Sequence, residues 1–485
     1  MKNRNIFRFA ALVFAVCMIG TSCNDWLDVK PKAEEDAEDL FSTPAGFKSA
    51  LAGCYTAMTL PDLYGRELTY GMAGVLAQEW GSGHGIGQND ALYNNIMMYQ
   101  YDKANVETLL DSVWSKMYYA VAQCNTLIEY TEKNCSVLND LQYSVIRGEA
   151  FGLRAFMHAE LFRLFGKVSA EPATQKALPY VRSTSVGVNA QLTNEVYYKY
   201  LLDDIDEALK LLEKDPVYTG ENAEGIEDGY YTNRQYHMNY YAVLALKARM
   251  QLHMGDKPGA LATANTVIAA QSDRRFRWIT KDEADPSNSK LKDRTFSTEH
   301  IFALNIMELR DYIKGYFREG DNLLMSRLEF IEPFLSVDFR GKLFETYNGF
   351  SNMFGKFWQL EPVTANGVTT TPRKNRMPMI RLSEMYFIAA EAQLESNPAE
   401  ALRLLNVVLD NRGMEDHNYD GSIADNPKAL ADTYLEQYQR EFMGEGQLWY
   451  YHKRVGTKSI HAFNAKYILP IPVSEWEFGN VEPIE

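Results

Sequence analysis

The sequence predicts a mainly α fold, in which helix hairpins frame large irregular insertions. Three observations carry this expectation. From Arg381 to Gly413 the chain reads as two helices folded on each other: Met385, Ile388, Ala389 and Ala392 share one face of the first, and Ala401, Leu405 and Val408 continue the second. Ser396, Asn397 and Pro398 break the run, with Asn397 placed to cap and Pro398 to open the second helix, and Gly413 supplies the left-handed stop. The same offsets recur in Ala248, Ala260, Ala264 and Val267, with Gly255, Asp256 and Pro258 at the break. A hairpin of about 34 residues with small residues at the helix crossing is the tetratricopeptide pattern. Between these hairpins lie aromatic-rich stretches without helical period.

At 485 residues the chain exceeds what one core usually organises, so two packed lobes or a solenoid are expected. Its formal charge of −15 and the absence of a dense Lys/Arg cluster exclude a nucleic-acid binder, which needs a basic stripe to displace counterions. The chain holds 30 tyrosines, 24 phenylalanines and 7 tryptophans, so many rings are expected outside the core. Five cysteines show no CxxC spacing; Cys54 and Cys124 sit in apolar helical runs and read as buried, inert thiols.

Lys2, Arg4 and Arg8 precede an apolar run from Phe9 to Gly20, too short to span a bilayer but suited to a secretory leader over 1–22. Gly20, Thr21 and Ser22 lead into Cys23, so the end of the leader reads as a degenerate lipobox and Cys23 as a lipidated N-terminus. Residues 23–42 then form an acidic tether. The folded body divides into an N-terminal part, 43–270, and a C-terminal part, 271–485.

Helices are expected from Ala45 to Met58 and from about Asn105 to Glu132, where Trp114, Met117, Val121 and Leu127 give a broad apolar stripe. The block between them, 60–102, interleaves Tyr64, Tyr70, Trp80, Tyr93, Tyr99 and Tyr101 with seven glycines, and is too long for a mere connector. From Ala150 a helix apolar on two faces must be sandwiched, with Asn194 to Lys214 as its partner. After the hairpin of 240–270 comes a second irregular block, 274–358, containing the strand-like HIFALNI of 300–306. A helix around Tyr434 to Arg454 closes the body.

Enzyme chemistry finds little support in these residues. Gly81 to Gly87 has Ile86 at the third glycine position of GxGxxG, and neither strand nor helix brackets it. The eight histidines form no chelating pair, so zinc is not expected, and no residue pattern assigns another metal or a cofactor. Asp203, Asp204 and Glu207 are expected on the solvated face of a helix, whereas glycoside hydrolysis needs two carboxylates converging across a cleft. Glu441, Glu445, Lys453 and Arg454 are expected to make ion pairs or caps.

Taken in order, SCNDWLDVKP, LDSVWSKMYYAVAQCNTLIE, RGEAFGLRAFMHAELFRLFG, FSTEHIFALNI, MPMIRLSEMYFIAAEAQ, EQYQREFMGEGQLWYYHKRVG and YILPIPVSEWEFGN resemble the SusD/RagB family of outer-membrane nutrient-binding lipoproteins across the mature chain. The resemblance implies about four tetratricopeptide-like hairpins supporting an irregular ligand-binding side. It also implies a surface-exposed lipoprotein of the outer membrane that lids a TonB-dependent, SusC-type transporter and captures oligosaccharides without catalysis. Peptide capture and a tetratricopeptide protein adaptor are the alternatives.

Sugars present C–H faces edged by hydroxyls, which proteins grip with exposed rings and polar rims. On that chemistry Trp80 and Tyr93 are the leading ligand-binding candidates, with His84, Asn89 and Asp90 as polar partners. Arg277, Trp278 and Trp358 form a second group. The competing reading for each ring is packing in the core or anchoring of a loop.

Overall fold

The structure, a computed structural model, describes residues 32–80, 91–168, 174–185, 187–318, 336–347, 350–359, 363–365, 368–370, 375–461, 463–479, 481–482 and 484. The leader and Cys23 lie outside the described residues, as do His84, Asn89, Asp90 and the glycine run 81–87.

Twelve of the helices among the described residues are labelled here: α1 (Lys32–Leu40), α2 (Pro44–Met58), α3 (Ala104–Lys133), α4 (Asp140–Phe165), α5 (Asn194–Leu212), α6 (Tyr240–His253), α7 (Lys257–Ala269), α8 (Leu309–Phe317), α9 (Leu382–Gln393), α10 (Pro398–Asp410), α11 (Pro427–Phe442) and α12 (Gln447–Val455). Apart from the short α8, each helix from α3 to α12 packs on the next in sequence, so neighbours bury one another's faces along a right-through stack. That nearest-neighbour pattern is a solenoid of helix hairpins. Asn194 to Leu212 is the partner of the doubly apolar α4, as its two faces require. The crossing is close: a Cβ built on Gly148 of α4 would stand 2.7 Å from Cγ of Leu212.

Local chemistry sets the helix starts. Asn139 and Gln142 form a reciprocal capping box at α4, each bond 2.9 Å. Asp256 caps α7 and Asn397 caps α10, each followed within two residues by proline. Gly413 takes φ +81°, the left-handed stop expected of it.

The strands are short and pair as hairpins or across the chain: β1 (Lys176–Pro179) with β2 (Gln191–Thr193), β3 (His300–Asn305) with β8 (Arg376–Arg381), β4 (Phe344–Tyr347) with β5 (Phe350–Phe354), and β6 (Val363–Ala365) with β7 (Val368–Thr370), all antiparallel. The β3–β8 pair brings the expected HIFALNI strand against the residues that lead into α9, with His300 opposite Arg381.

Four expectations need correction. The second half of the acidic tether is helical, because α1 leads into Phe41, whose ring stacks on Tyr130 at 4.3 Å and anchors the segment. The helix expected around 434–454 is two helices, broken where Gly444 and Gly446 take φ +75° and +73°. A Cβ at Gly446 would meet the Leu68 carbonyl oxygen at 2.2 Å, so the break also admits the 60–80 segment. Asp204 is fully buried rather than solvated, held by Nε and Nη2 of Arg154 at 2.7 and 2.6 Å and by the Tyr180 hydroxyl at 2.7 Å. Finally, many of the aromatic rings are core: Tyr70, Trp80, Tyr93, Tyr99 and Trp449 are among the largest fully buried side chains. Cys54 and Cys124 are buried free thiols and Cys135 is exposed.

Candidate ligand-binding site

The first irregular block folds around a buried carboxylate. Glu67 accepts from the Arg66 Nε at 2.6 Å, from the Met72 backbone N–H at 2.9 Å and from the Tyr93 hydroxyl at 3.1 Å. Burial raises its carboxyl, and the Arg66 guanidinium beside it opposes that rise. Three partners from separate turns thus converge on one side chain, which fixes a segment that has little regular structure of its own.

The second block supplies a short helix to close over the first. In α8 the buried residues Leu309, Ile313 and Phe317 recur at i, i+4 and i+8 and form one stripe. Phe317 meets Tyr70 at 5.2 Å and Trp80 at 5.3 Å between ring centroids, and Phe354 of β5 meets Trp80 at 5.6 Å. The Trp80 Nε1–H donates to the Tyr70 carbonyl at 2.7 Å. The two irregular blocks are therefore one unit, joined by a ring-on-ring core.

The flanks of α8 carry different groups. On one flank lie Tyr312 and Tyr316, both partly exposed, with the Arg66 guanidinium 5.4 Å from the Tyr316 ring centroid and the Tyr93 ring 5.8 Å away. On the other lie Arg310 and Arg318, 4.7 and 5.2 Å from the ring of the partly exposed Trp358. Arg318 is also bound to Glu345 at 3.2 Å, which fixes that guanidinium in place. The junction thus presents ring edges beside the partly buried Arg66 and the exposed Arg310, while the Arg318 guanidinium is buried behind Trp358. Rings with donors at their rim are the combination that grips C–H faces and hydroxyls. A larger cavity, about 670 Å³, lies elsewhere; its walls are mainly polar side chains such as Asn222, Asn233 and Arg274.

Residues 25–252 match a family model described as "Starch-binding associating with outer membrane", and residues 344–475 match the model of the SusD family. The chain belongs to the SusD/RagB family. Among curated proteins no sequence match is found. Solved structures share the fold: a SusD superfamily protein from Bacteroides thetaiotaomicron (TM-score 0.68, 21% identity, covering 91% of this chain and 100% of the other) and one from Bacteroides vulgatus (TM-score 0.69, 20% identity, 91% and 98%). A surface glycan-binding protein A from Bacteroides thetaiotaomicron, solved in complex with laminarihexaose, is similar at TM-score 0.65 and 18% identity over 91% of this chain and 99% of its own. Among the described residues no helix is long and apolar enough to cross a membrane, and no group of His, Cys, Asp and Glu is arranged to hold a metal ion.

In this SusD/RagB chain the residues singled out from sequence fall into different settings. Trp80 and Tyr93 are buried, at 0% and 1% exposure, so their rings anchor the loop and offer no free face. Trp358 stands at the surface edge of the junction. Trp278 stands apart from it, partly buried on the Tyr386 ring of α9 at 5.0 Å and 5.1 Å from the Arg412 guanidinium. Arg277 is committed to Glu283 by two 3.0 Å bonds and does not join Trp358. Arg66, Arg310, Tyr312 and Tyr316 were not among the expected site residues. The i, i+4 spacing of the two tyrosines was the available signal, since it puts both on one edge of a helix.

Proposed function

We propose that this protein captures oligosaccharides at the cell surface without chemical change and passes them to a TonB-dependent transporter of the SusC type. The observation that carries the reading is the α8 junction, where Tyr312, Tyr316 and Trp358 expose ring edges beside Arg66 and Arg310. A family model described by starch binding and the laminarihexaose complex of a structural neighbour support a glycan as the ligand class. A capture role needs no pair of catalytic carboxylates. In this proposal Cys23 carries the lipid that holds the protein in the outer membrane, and the helical solenoid is the frame on which the junction is displayed.

Calorimetry on the chain from Asn24 onward, with laminarihexaose, maltohexaose and cellohexaose beside a peptide digest, tests the ligand class. Binding of a glycan supports the proposal, and binding of the digest alone overturns it in favour of peptide capture. Affinity purification from outer membranes should bring down a TonB-dependent barrel. Protease treatment of intact cells should remove the protein, since a protected chain would instead fit a periplasm-facing adaptor.

A further inference from the structure

A pocket of about 400 Å³ opens beside the start of α8, within the size range of small-molecule sites. Tyr55 of α2, together with Tyr230, Tyr236 and His237 from the connection between α5 and α6, forms its walls. His237 is held from behind. Its Nδ1 lies 3.0 Å from the carboxylate of the fully buried Glu149, which also accepts from the Tyr55 hydroxyl and from Arg234 at 2.6 Å. Burial alone would raise the Glu149 carboxyl, but Arg234 and His237 hold it down at about 2, so it is an ionised acceptor. Nδ1 of His237 is thus engaged by Glu149, and Nε2 is the ring nitrogen left to meet a ligand. This is the arrangement by which a second residue orients a histidine for a ligand.

The rim carries acceptors. Thr56 and Thr59 spend their hydroxyl protons on their own helix, on the Ala52 carbonyl at 2.9 Å and the Thr56 carbonyl at 2.8 Å, so that lone pairs face outward. Glu308 adds an exposed carboxylate. Such a rim favours a ligand that brings hydroxyl or N–H donors. A cationic ligand is disfavoured, because the ring of Tyr230 already lies under Lys48 at 4.0 Å and that of Tyr236 under Arg376 at 5.4 Å. Aromatic walls with an acceptor rim and cations already in place fit a neutral ring bearing hydroxyls.

The pocket reaches α8 at Glu308, the residue that precedes its first turn. Glu308, the cap residue of α8, and Tyr312 and Tyr316 within it recur at i, i+4 and i+8 along one edge of this helix of nine residues, about 13 Å long. Glu308 is close enough to Tyr312 to raise its hydroxyl, after burial, and Arg66 opposes that rise from the junction side.

We propose that the Tyr55, Tyr236 and His237 pocket is a second subsite, which takes a neutral pyranose residue of the same oligosaccharide that lies along Tyr312 and Tyr316. It rests on the glycan reading above, and the following measurements separate the two. Saturation-transfer NMR on the chain from Asn24 onward, with glucose, galactose, mannose and N-acetylglucosamine as single-ring probes, should show transfer to at least one. His237→Gln, which keeps a donor to Glu149, and Tyr236→Ala should each abolish that transfer. Each should also weaken the best-bound hexasaccharide by roughly 3- to 10-fold, the effect of one neutral hydrogen bond or ring contact. Melting curves identify a variant that has failed to fold, and the other variant then decides. If a hexasaccharide binds and neither variant changes it, or no single-ring probe shows transfer, the pocket assignment is overturned while the junction stands. If no glycan binds the unaltered protein at all, both fall.

Discussion

Arg412 grips Glu299 across 113 residues of sequence through two parallel hydrogen bonds of 2.8 Å, and both side chains are fully buried. The same guanidinium reaches Glu441 at 2.6 and 2.9 Å, and Arg381 joins Glu441 at 2.6 Å and Glu445 at 2.9 Å. One ionic cluster thus ties the residue before β3, the end of β8, the turn after α10, the end of α11 and the break between α11 and α12. Charges this deep are costly to leave unpaired, so removing one partner is worse than removing both. Arg412→Met should cost about 3–5 kcal/mol in urea unfolding, and Arg412→Met combined with Glu299→Gln should cost less than the sum of the two single changes. Strict additivity would show that the pair is not coupled.

The hairpin of α9 and α10 is a frame, and its small residues mark where the frame is tight. Ala389 and Ala401 are both at 0% exposure. Ala389→Leu or Ala401→Leu should destabilise by about 1–3 kcal/mol through overpacking. The folded fraction should bind glycan as before, since neither residue borders the α8 junction. A folded variant with altered glycan preference would contradict the division between frame and site.

Acid should weaken the protein through histidines held neutral. His158 is buried, with its Nε2 3.2 Å from the Val181 backbone nitrogen and 3.3 Å from the Val181 carbonyl oxygen, and its Nδ1 3.2 Å from the Tyr197 hydroxyl. Burial brings its pKa down to about 3, as it does for His300, which is also about 3. An unfolded histidine titrates near 6.5, so between about 6.5 and 3 the unfolded chain binds protons that the folded chain refuses. The contribution of these histidines is therefore full above about pH 6.5 and falls as pH drops, by up to about 1.4 kcal/mol per pH unit for each. His158→Gln should flatten the dependence of the urea midpoint on pH between 6.5 and 4. An unchanged slope would remove His158 from the account.

A buried carboxylic acid at the foot of the first block predicts the opposite trend. Glu79 is buried, with one oxygen accepting from the Gly444 N–H at 3.0 Å, and burial pushes its pKa up to about 8. Between about 4.5 and 8 the folded chain therefore holds a proton that the unfolded chain has released, and stability contributed by this group falls as pH rises through that window. Glu79→Gln should remove that loss, so its stability relative to the unaltered protein should improve from pH 5 to pH 8. A constant difference across that range would show that Glu79 is ionised throughout.

The frame was legible in sequence because it is periodic. The offsets shared by 240–270 and 381–413, the proline-led caps and the two-faced α4 each specify a helix and its partner through local spacing. The site was legible only as a region. A loop rich in rings reads alike whether the rings face water or one another, and which occurs depends on α8, more than 200 residues away from Trp80 in the chain. Hence Trp80 and Tyr93 were expected at the surface and lie in the interior, while Tyr316 gains its place from Arg66, a contact no local pattern encodes. The two glycines that split α11 from α12 were visible, but the apolar spacing across them masked the break.

The α8 junction itself yields the last prediction. Trp358 and Tyr316 lie on opposite flanks of α8, each beside guanidinium groups, Arg310 and Arg318 for the first and Arg66 for the second. A ring that stacks on a sugar contributes about 0.5–1.5 kcal/mol beyond its area, so Trp358→Ala and Tyr316→Ala should each weaken hexasaccharide binding by roughly 2- to 12-fold in calorimetry. Trp80→Ala should behave differently: it removes a ring that is fully buried between Phe317 and Phe354, so the main loss, about 3–5 kcal/mol, should appear in unfolding. Any effect of Trp80→Ala on binding should then follow from disorder of α8 and be accompanied by faster hydrogen exchange across 309–317. Weakened binding by Trp80→Ala with α8 protection intact would instead return Trp80 to the ligand surface, and unaltered binding by both Trp358→Ala and Tyr316→Ala would place the glycan away from the junction.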